Sequence, residues 1–265
     1  MTFVVAELGI NHGGDLALAK KMIVAARECG CDAVKIQTYR TKDFLPPGHS
    51  DWDMFERAEI WEHLNCLRNF CSGLEIGFGA TPTSVDGVRE LARARVDFLK
   101  NGSDFLLRHD LLVEMSHTML PTYVATGMAL HWNEIRDAAV FFAPGKLVIL
   151  HCTSAYPCPD DEVNLARLSG IGRFFRVGLS DHTQGTEAAV AATVLGAEVI
   201  EKHFTLDKNA EGPDHWFSAD PAEMTDLVRR VRRVEQMIGS SAVHQTPSEL
   251  VHAASWRVAE GEFRG

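Results

Sequence analysis

Eight short apolar runs recur along this chain, each too continuously apolar to form a half-exposed strand. They are FVVAEL (3–8), AVKIQT (33–38), IGFGAT (76–81), DFLKN (97–101), PTYVAT (121–126), KLVILHCT (146–153), RVGLSD (176–181) and EVIEKHFT (198–205). Such runs suit strands of a parallel sheet covered on both faces. Most are followed by a segment with helical spacing. DLALAKKMIVAARECG (15–30) opens on an Asp cap and closes on Gly, and SVDGVRELARAR (84–95) opens on a Ser cap after Pro82. GTEAAVAATVLGA (185–197) is small and apolar, as a helix packed tightly on strands requires. PAEMTDLVRRVRRVEQMIGSS (221–241) has Pro at its start and Gly-Ser at its end.

Strand–helix alternation repeated eight times predicts a (β/α)8 barrel spanning residues 1–241. The rival is a doubly wound open sheet, which announces itself by a Gly-rich phosphate loop after the first strand. ELGINHGGD does not fit GxGxxG. Residues 242–265 show no long periodic pattern and read as a tail or linker.

Composition excludes several roles. The formal net charge is −10, which disfavours nucleic acid and anionic membranes as partners, because both reward basic surfaces. No run approaches the roughly eighteen apolar residues of a membrane span. The N-terminus lacks the basic segment and long apolar stretch of a signal peptide. Six scattered cysteines without a CxxC pair read as reduced, mostly buried thiols of a cytoplasmic protein.

In a barrel, chemistry sits at the C-terminal ends of the strands. Here those ends are crowded with polar residues: Glu7, Asn11 and His12; Lys35 and Gln37; Thr81; Lys100 and Ser103; Thr126. His151, Thr153 and Tyr156 follow the sixth strand, Ser180, Asp181 and His182 the seventh, Glu201, Lys202 and His203 the eighth. Burying so many polar groups costs stability unless they are paired or functional. His182 and His203, on neighbouring strands at matching height, are either separate structural hydrogen-bonders or two ligands of an open catalytic metal. Lys35 lies among apolar residues, so it needs an anion. That anion is either Glu7, as a structural pair, or a substrate held by Lys35, Lys100 and the hydroxyls of Thr81, Ser103, Thr126 and Ser180. After the eighth strand, the Gly212-Pro213 turn would carry Asp214 and His215 over the barrel mouth, or leave Asp214 solvated in a turn.

Six blocks of this sequence closely resemble the sialic acid synthase family. They are AELGINHGGDLALAKKMIVAARECGCDAVKIQTY, GATPTS, ATGMA, LHCTSAYPCPDDEVNL, VGLSDHTQGTEAA and GAEVIEKHFTLDKNAEGPDH, and the resemblance covers roughly residues 3–240. It implies a metal-dependent barrel enzyme, expected as a homodimer, that condenses phosphoenolpyruvate with an aldose such as N-acetylmannosamine. The product would be a nonulosonic acid, with release of phosphate. By motif match, His182 and His203 would hold Mn²⁺ or Mg²⁺. Lys35, Thr81, Lys100, Ser103, Thr126 and Ser180 would bind phosphoenolpyruvate, and Glu7, Gln37, Tyr156 and Asp214 would meet the acceptor. Glu201 would stand beside the metal and orient water.

The sequence also departs from that pattern. The family commonly carries a small antifreeze-like domain after the barrel, and this chain stops at SWRVAEGEFRG, where it would begin. In NGSDF (101–105), Asn101, Asp104 and Phe105 differ from the usual residues, Phe105 standing where the family more often has an acid. Thr126 replaces the usual Ser. Two alternatives follow: the same chemistry on another aldehyde in a specialised-metabolite pathway, or a catalytically silent barrel paralogue. Retention of Glu7, both lysines and both histidines argues against the silent barrel.

Overall fold

The structure, a computed structural model, describes residues 1–256. The eight runs form parallel strands that close on themselves in chain order. They are β1 (Phe3–Gly9), β2 (Ala33–Thr38), β3 (Gly77–Pro82), β4 (Phe98–Lys100), β5 (Thr122–Ala125), β6 (Leu147–His151), β7 (Val177–Asp181) and β8 (Val199–His203). β8 pairs with β1 from Phe3↔Val199 to Glu7↔His203, which completes the (β/α)8 cylinder.

The predicted caps hold their helices as expected. The Asp15 carboxylate accepts from the Ala17 and Leu18 amides at the head of Leu16–Glu28, and the Ser84 hydroxyl accepts from the Gly87 amide at the head of Val85–Arg93. Asp220 and Glu223 form a reciprocal capping box on Pro221–Ile238, which ends at Gly239 with φ +56°. That helix lies against both Leu16–Glu28 and Glu187–Val194, so the outer ring also closes.

Two segments differ from expectation. The stretch after β2, which carries no helical spacing in the sequence, contains the short helices Thr41–Phe44 and Trp52–Arg57. The stretch read as a tail contains the helix Pro247–Trp256. Its start was written in the sequence as Thr-Pro-Ser-Glu: Thr246 and Glu249 exchange side-chain-to-amide hydrogen bonds, as in a capping box. The rest of the predicted tail, residues 257–265, lies outside the described residues.

The side-chain period of two divides each strand between two destinations. Alternate residues Val4, Ala6, Leu8, Val34, Ile36, Phe78 and Ala80 face the helices. The other set fills the cylinder itself with a separate apolar plug that includes Val5, Ala33, Phe98, Tyr123, Leu150 and Val199. Phe98 lies 4.8 Å from Tyr123 and 6.2 Å from Phe3, measured between ring centroids. Room for it comes from Gly79, where any Cβ would overlap the Phe98 ring. Two residues above the plug on each strand come Glu7, Lys35, Lys100 and Glu201. The apolar plug is therefore the base on which the polar residues stand.

Gly79→Ala is expected to cost about 1–3 kcal/mol through overpacking. A urea midpoint would show it, and Phe98→Leu in the same chain should return part of the loss.

Candidate active site

Parity decides which strand-end residues meet. The inward set continues upward as Glu7 from β1, Lys35 and Gln37 from β2, Thr81 from β3 and Lys100 from β4. Beyond the strand ends Ser103, Tyr156 and His182 join them, with Glu201 and His203 from β8. All ten line one cavity of about 390 Å³ at the C-terminal mouth. Ser180 lies directly beneath, hydrogen-bonded to Glu201.

The floor is a nearly dry charge cluster. Lys100 Nζ is 2.9 Å from Glu201 Oε1, and Lys35 Nζ is 2.6 Å from Glu7 Oε2 and 3.7 Å from Glu201 Oε2. Lys35 also donates to Thr81 Oγ1 at 2.8 Å, and Ser180 Oγ donates to Glu201 Oε1 at 2.9 Å. Both earlier readings of Lys35 thus have a basis, since it pairs with Glu7 while its ammonium borders the cavity. The two carboxylates are not equivalent. Burial pushes Glu7 up to about 7 against the pull of Lys35. Burial also opposes the charge on Glu201, but Lys100 and Lys35 together outweigh it and hold that carboxyl down at about 2. Glu7 Oε1 has no hydrogen-bond partner.

The histidines stand beside this floor. Their rings are 5.6 Å apart between centroids. His182 donates through Nδ1 to the Thr153 carbonyl at 2.8 Å, which fixes its tautomer and leaves the Nε2 lone pair toward the site. His203 Nδ1 is buried without a hydrogen-bond partner, 3.6 Å from Asp214 Oδ2. Burial lowers the basicity of both, His182 to about 4 and His203 well below its ordinary value. Neutral imidazoles with free lone pairs are what a divalent metal requires. Among the described residues no group of three or more His, Cys, Asp or Glu side chains gathers as a metal cluster. The donors present are two imidazoles, a set compatible with a divalent metal whose other positions would go to water or substrate.

Asp214 is brought over the mouth by the segment after β8. That segment is tied down by main-chain bonds from Ala219 N to His203 O and from Thr205 N to Ala219 O. Asn11 fastens it to the β1 loop by donating to Phe204 O and Ser218 Oγ. Asp214, Glu7 and Gln37 all come within 4 Å of where a Cβ on Gly9 would stand. Burial raises Asp214 to about 6. Its predicted neighbour His215 turns away and bonds Thr205 Oγ1 at 2.6 Å.

Thr126 does not join the others. Tyr123 points into the cylinder, so Thr126, three residues on, points out. Its hydroxyl turns to Leu150 O at 3.4 Å and its side chain borders a separate cavity with Trp132 and Arg167. His151 faces the same way, bonded to Val163 O. Asp181 and Lys202 also face outward and form a buried pair at 2.8 Å. The sequence reading missed the aromatic and apolar walls. Tyr39 and Phe55 come from the segment after β2, and Met128 follows β5. Phe217 packs on Tyr156 and His203 at 5.3 and 5.1 Å, and Cys152 Sγ lies 3.1 Å from Ser103 Oγ. Cys152 alone was readable, as the inward residue two beyond Leu150.

A closed (β/α)8 cylinder whose ionisable groups converge at the C-terminal mouth defines a barrel enzyme. The chain belongs to the NeuB family, whose model matches residues 22–243. It is 35% identical over 272 residues to N,N'-diacetyllegionaminic acid synthase of Legionella pneumophila, covering 94% of this chain and 76% of that protein. It is 33% identical over 267 residues to human N-acetylneuraminate-9-phosphate synthase, covering 94% and 74%. The crystal structure of N-acetylneuraminic acid (sialic acid) synthetase from Leptospira borgpetersenii, in complex with citrate, superposes with a TM-score of 0.89 at 31% identity. That match covers 96% of this chain and 92% of the other. The chain is thus an enzyme of the sialic-acid-synthase class.

The outward pair offers a control on the floor. Lys202→Met should cost about 3–5 kcal/mol by leaving the Asp181 carboxylate without its counter-charge, and Lys202→Met with Asp181→Asn, which keeps an acceptor for the Thr183 amide and hydroxyl, should recover part of it. Thermal melts of the two variants would measure this.

Proposed function

We propose that this enzyme condenses phosphoenolpyruvate with an aldose or related aldehyde, forming a nonulosonic acid and inorganic phosphate. The observation that carries the reading is the floor: two ammonium groups, Lys35 and Lys100, both held by Glu201 and both bordering the cavity beside two hydroxyl groups, Thr81 and Ser103. That inventory matches a ligand with a phosphate at one end and a carboxylate at the other.

The reaction forms one carbon–carbon bond. C3 of phosphoenolpyruvate attacks the aldehyde carbon, and positive charge develops at C2. Water adds there, and the C2–O bond to phosphate breaks as the ketone forms. Water supplies the new oxygen, and its protons pass to the sugar alkoxide and the departing phosphate. Lys35 and Lys100 would position the enol phosphate and offset its charge, most of the barrier reduction coming from orientation and electrostatics. Glu201, ionised between them, would face the developing charge at C2. Glu7, poised near neutrality with a free Oε1, would carry a proton at the acceptor end. Gln37, Tyr156 and Asp214 would align the sugar. A divalent metal, Mn²⁺ or Mg²⁺, held by His182 and His203 would supply Lewis-acid polarisation of the aldehyde. Thr126 enters only indirectly, through the backbone that sets Gly127 against Ser103 and Ser154.

Phosphate release from phosphoenolpyruvate should depend on both an aldose and a divalent metal. Chelation should abolish it and Mn²⁺ should restore it. His203→Ala should lower turnover at least about 100-fold without changing the melting temperature by more than a few degrees. Full activity of that variant after chelation and Mn²⁺ re-addition would refute the metal assignment.

A further inference from the structure

We infer that the outer cavity bordered by Thr126 and Arg167 is a second binding site, for a small carboxylic acid with a hydroxyl-bearing apolar body, and that its occupant tightens the enol-phosphate site. The cavity holds about 320 Å³, a volume in the range of small-molecule sites, and lies outside the cylinder between the loop after β5 and the helix Ala166–Ile171. Its charge has one sign. Among the described residues that border it none is Asp or Glu, although the chain as a whole carries −10. Arg167 stands at its exposed rim, and the guanidinium has no ion pair or hydrogen bond among the described residues. A carboxylate there would meet an unpaired fork of donors.

Inside the rim the wall is apolar, from Leu130, Ile135, Ile171 and the Trp132 ring. Trp132 is 40% and Leu130 80% exposed, so an occupant covering them removes apolar surface from water. The indole packs on Phe174 at 5.6 Å and Phe175 at 6.3 Å, which holds it as a stacking surface. The deepest lining residue is a polar one that the proposed reaction does not use. His151 is 1% exposed and donates through Nε2 to Val163 O, so its Nδ1 carries a lone pair. That lone pair meets no donor among the described residues. Burial and the nearby Arg167 outweigh the Val163 bond and hold the ring below its ordinary basicity, which keeps it a neutral acceptor. An acid at the rim, an apolar body along the wall and a hydroxyl at the bottom satisfy all three.

One turn walls both cavities. Thr126 and Ala129 border the outer one, and Met128 lines the inner one. Between them a Cβ on Gly127 would overlap Ser103, Ser154 and Cys152. Ala129 N closes the turn on Thr126 O, and Met128 sits in the left-handed region at φ +64°, a costly conformation for a residue with a side chain. An occupant packed on Thr126 and Ala129 holds that turn from outside and keeps Ser103 beside the enol phosphate. The tightening rests on the reaction proposed above, whereas the outer site does not.

Calorimetric titration of the full chain, with Mn²⁺ present, tests both halves using 4-hydroxyphenylacetate as probe. Its Kd should be about 1 mM or tighter. Tyramine, the same body with a cation in place of the acid, should bind at least about tenfold more weakly. Phenylacetate, which lacks the hydroxyl, should bind at least about threefold more weakly. Arg167→Ala should weaken the probe at least about tenfold and leave phosphate release in its absence unchanged. Saturating phosphoenolpyruvate should tighten the probe at least about twofold, and saturating probe should tighten phosphoenolpyruvate by the same factor, because coupling is reciprocal. No binding of the probe, equal binding of tyramine, or an unchanged Kd in Arg167→Ala overturns the site. Displacement by phosphoenolpyruvate puts the probe on Lys35 and Lys100 and also overturns it. Affinities unchanged in both directions overturn the tightening and leave the site standing. If phosphoenolpyruvate itself fails to bind, the proposed reaction and the tightening fall together, and the probe, tyramine and Arg167→Ala titrations still decide the outer site.

Discussion

One carboxylate holding two ammonium groups in a nearly water-free floor is the arrangement around which this molecule is organised. Glu201 reaches Lys100 at 2.9 Å and Lys35 at 3.7 Å, with Ser180 completing its hydrogen bonding. Removing such charges from water costs several kcal/mol per ion, and only close pairing offsets it. The pairing requires side chains from β2, β4 and β8, strands that are not adjacent in the sheet and face one another across the cylinder only because the sheet has closed. Closure in turn depends on the apolar plug beneath, where Gly79 yields its space to Phe98. Charge cluster and plug are thus two layers of one alternating pattern.

That pattern explains how much could be read in advance. Strand positions came within two residues everywhere, because a run buried on both faces differs sharply in composition from the segments around it. Caps at Asp15 and Ser84 were legible because one side chain determines each. The helices after β2 were not, since Thr41–Phe44 and Trp52–Arg57 are too short for a periodic stripe. Helix Pro247–Trp256 was missed for another reason: its capping residues were visible, but no apolar periodicity followed them.

Within the site, counting residues two at a time separates inward from outward. It places Lys35 in the cavity and gives Lys202, equally buried, a partner on the far side of the sheet. The same count turns Thr126 away, although the family resemblance had included it. Strand ends were therefore a good guide to which loops matter and an incomplete guide to which side chains do. The wall residues Tyr39, Phe55 and Met128 carry no polar signal in the sequence, and only folding brings them opposite one another.

The segment after β8 is fixed at both of its roots, by Ala219 N on His203 O and by Asn11 spanning to Phe204 and Ser218. Its middle can consequently change composition while its ends, and the imidazole they adjoin, stay in place. A lineage of such barrels could diversify in what it accepts by rewriting loop interiors alone. The reacting machinery, rooted in the sheet, would be inherited unaltered.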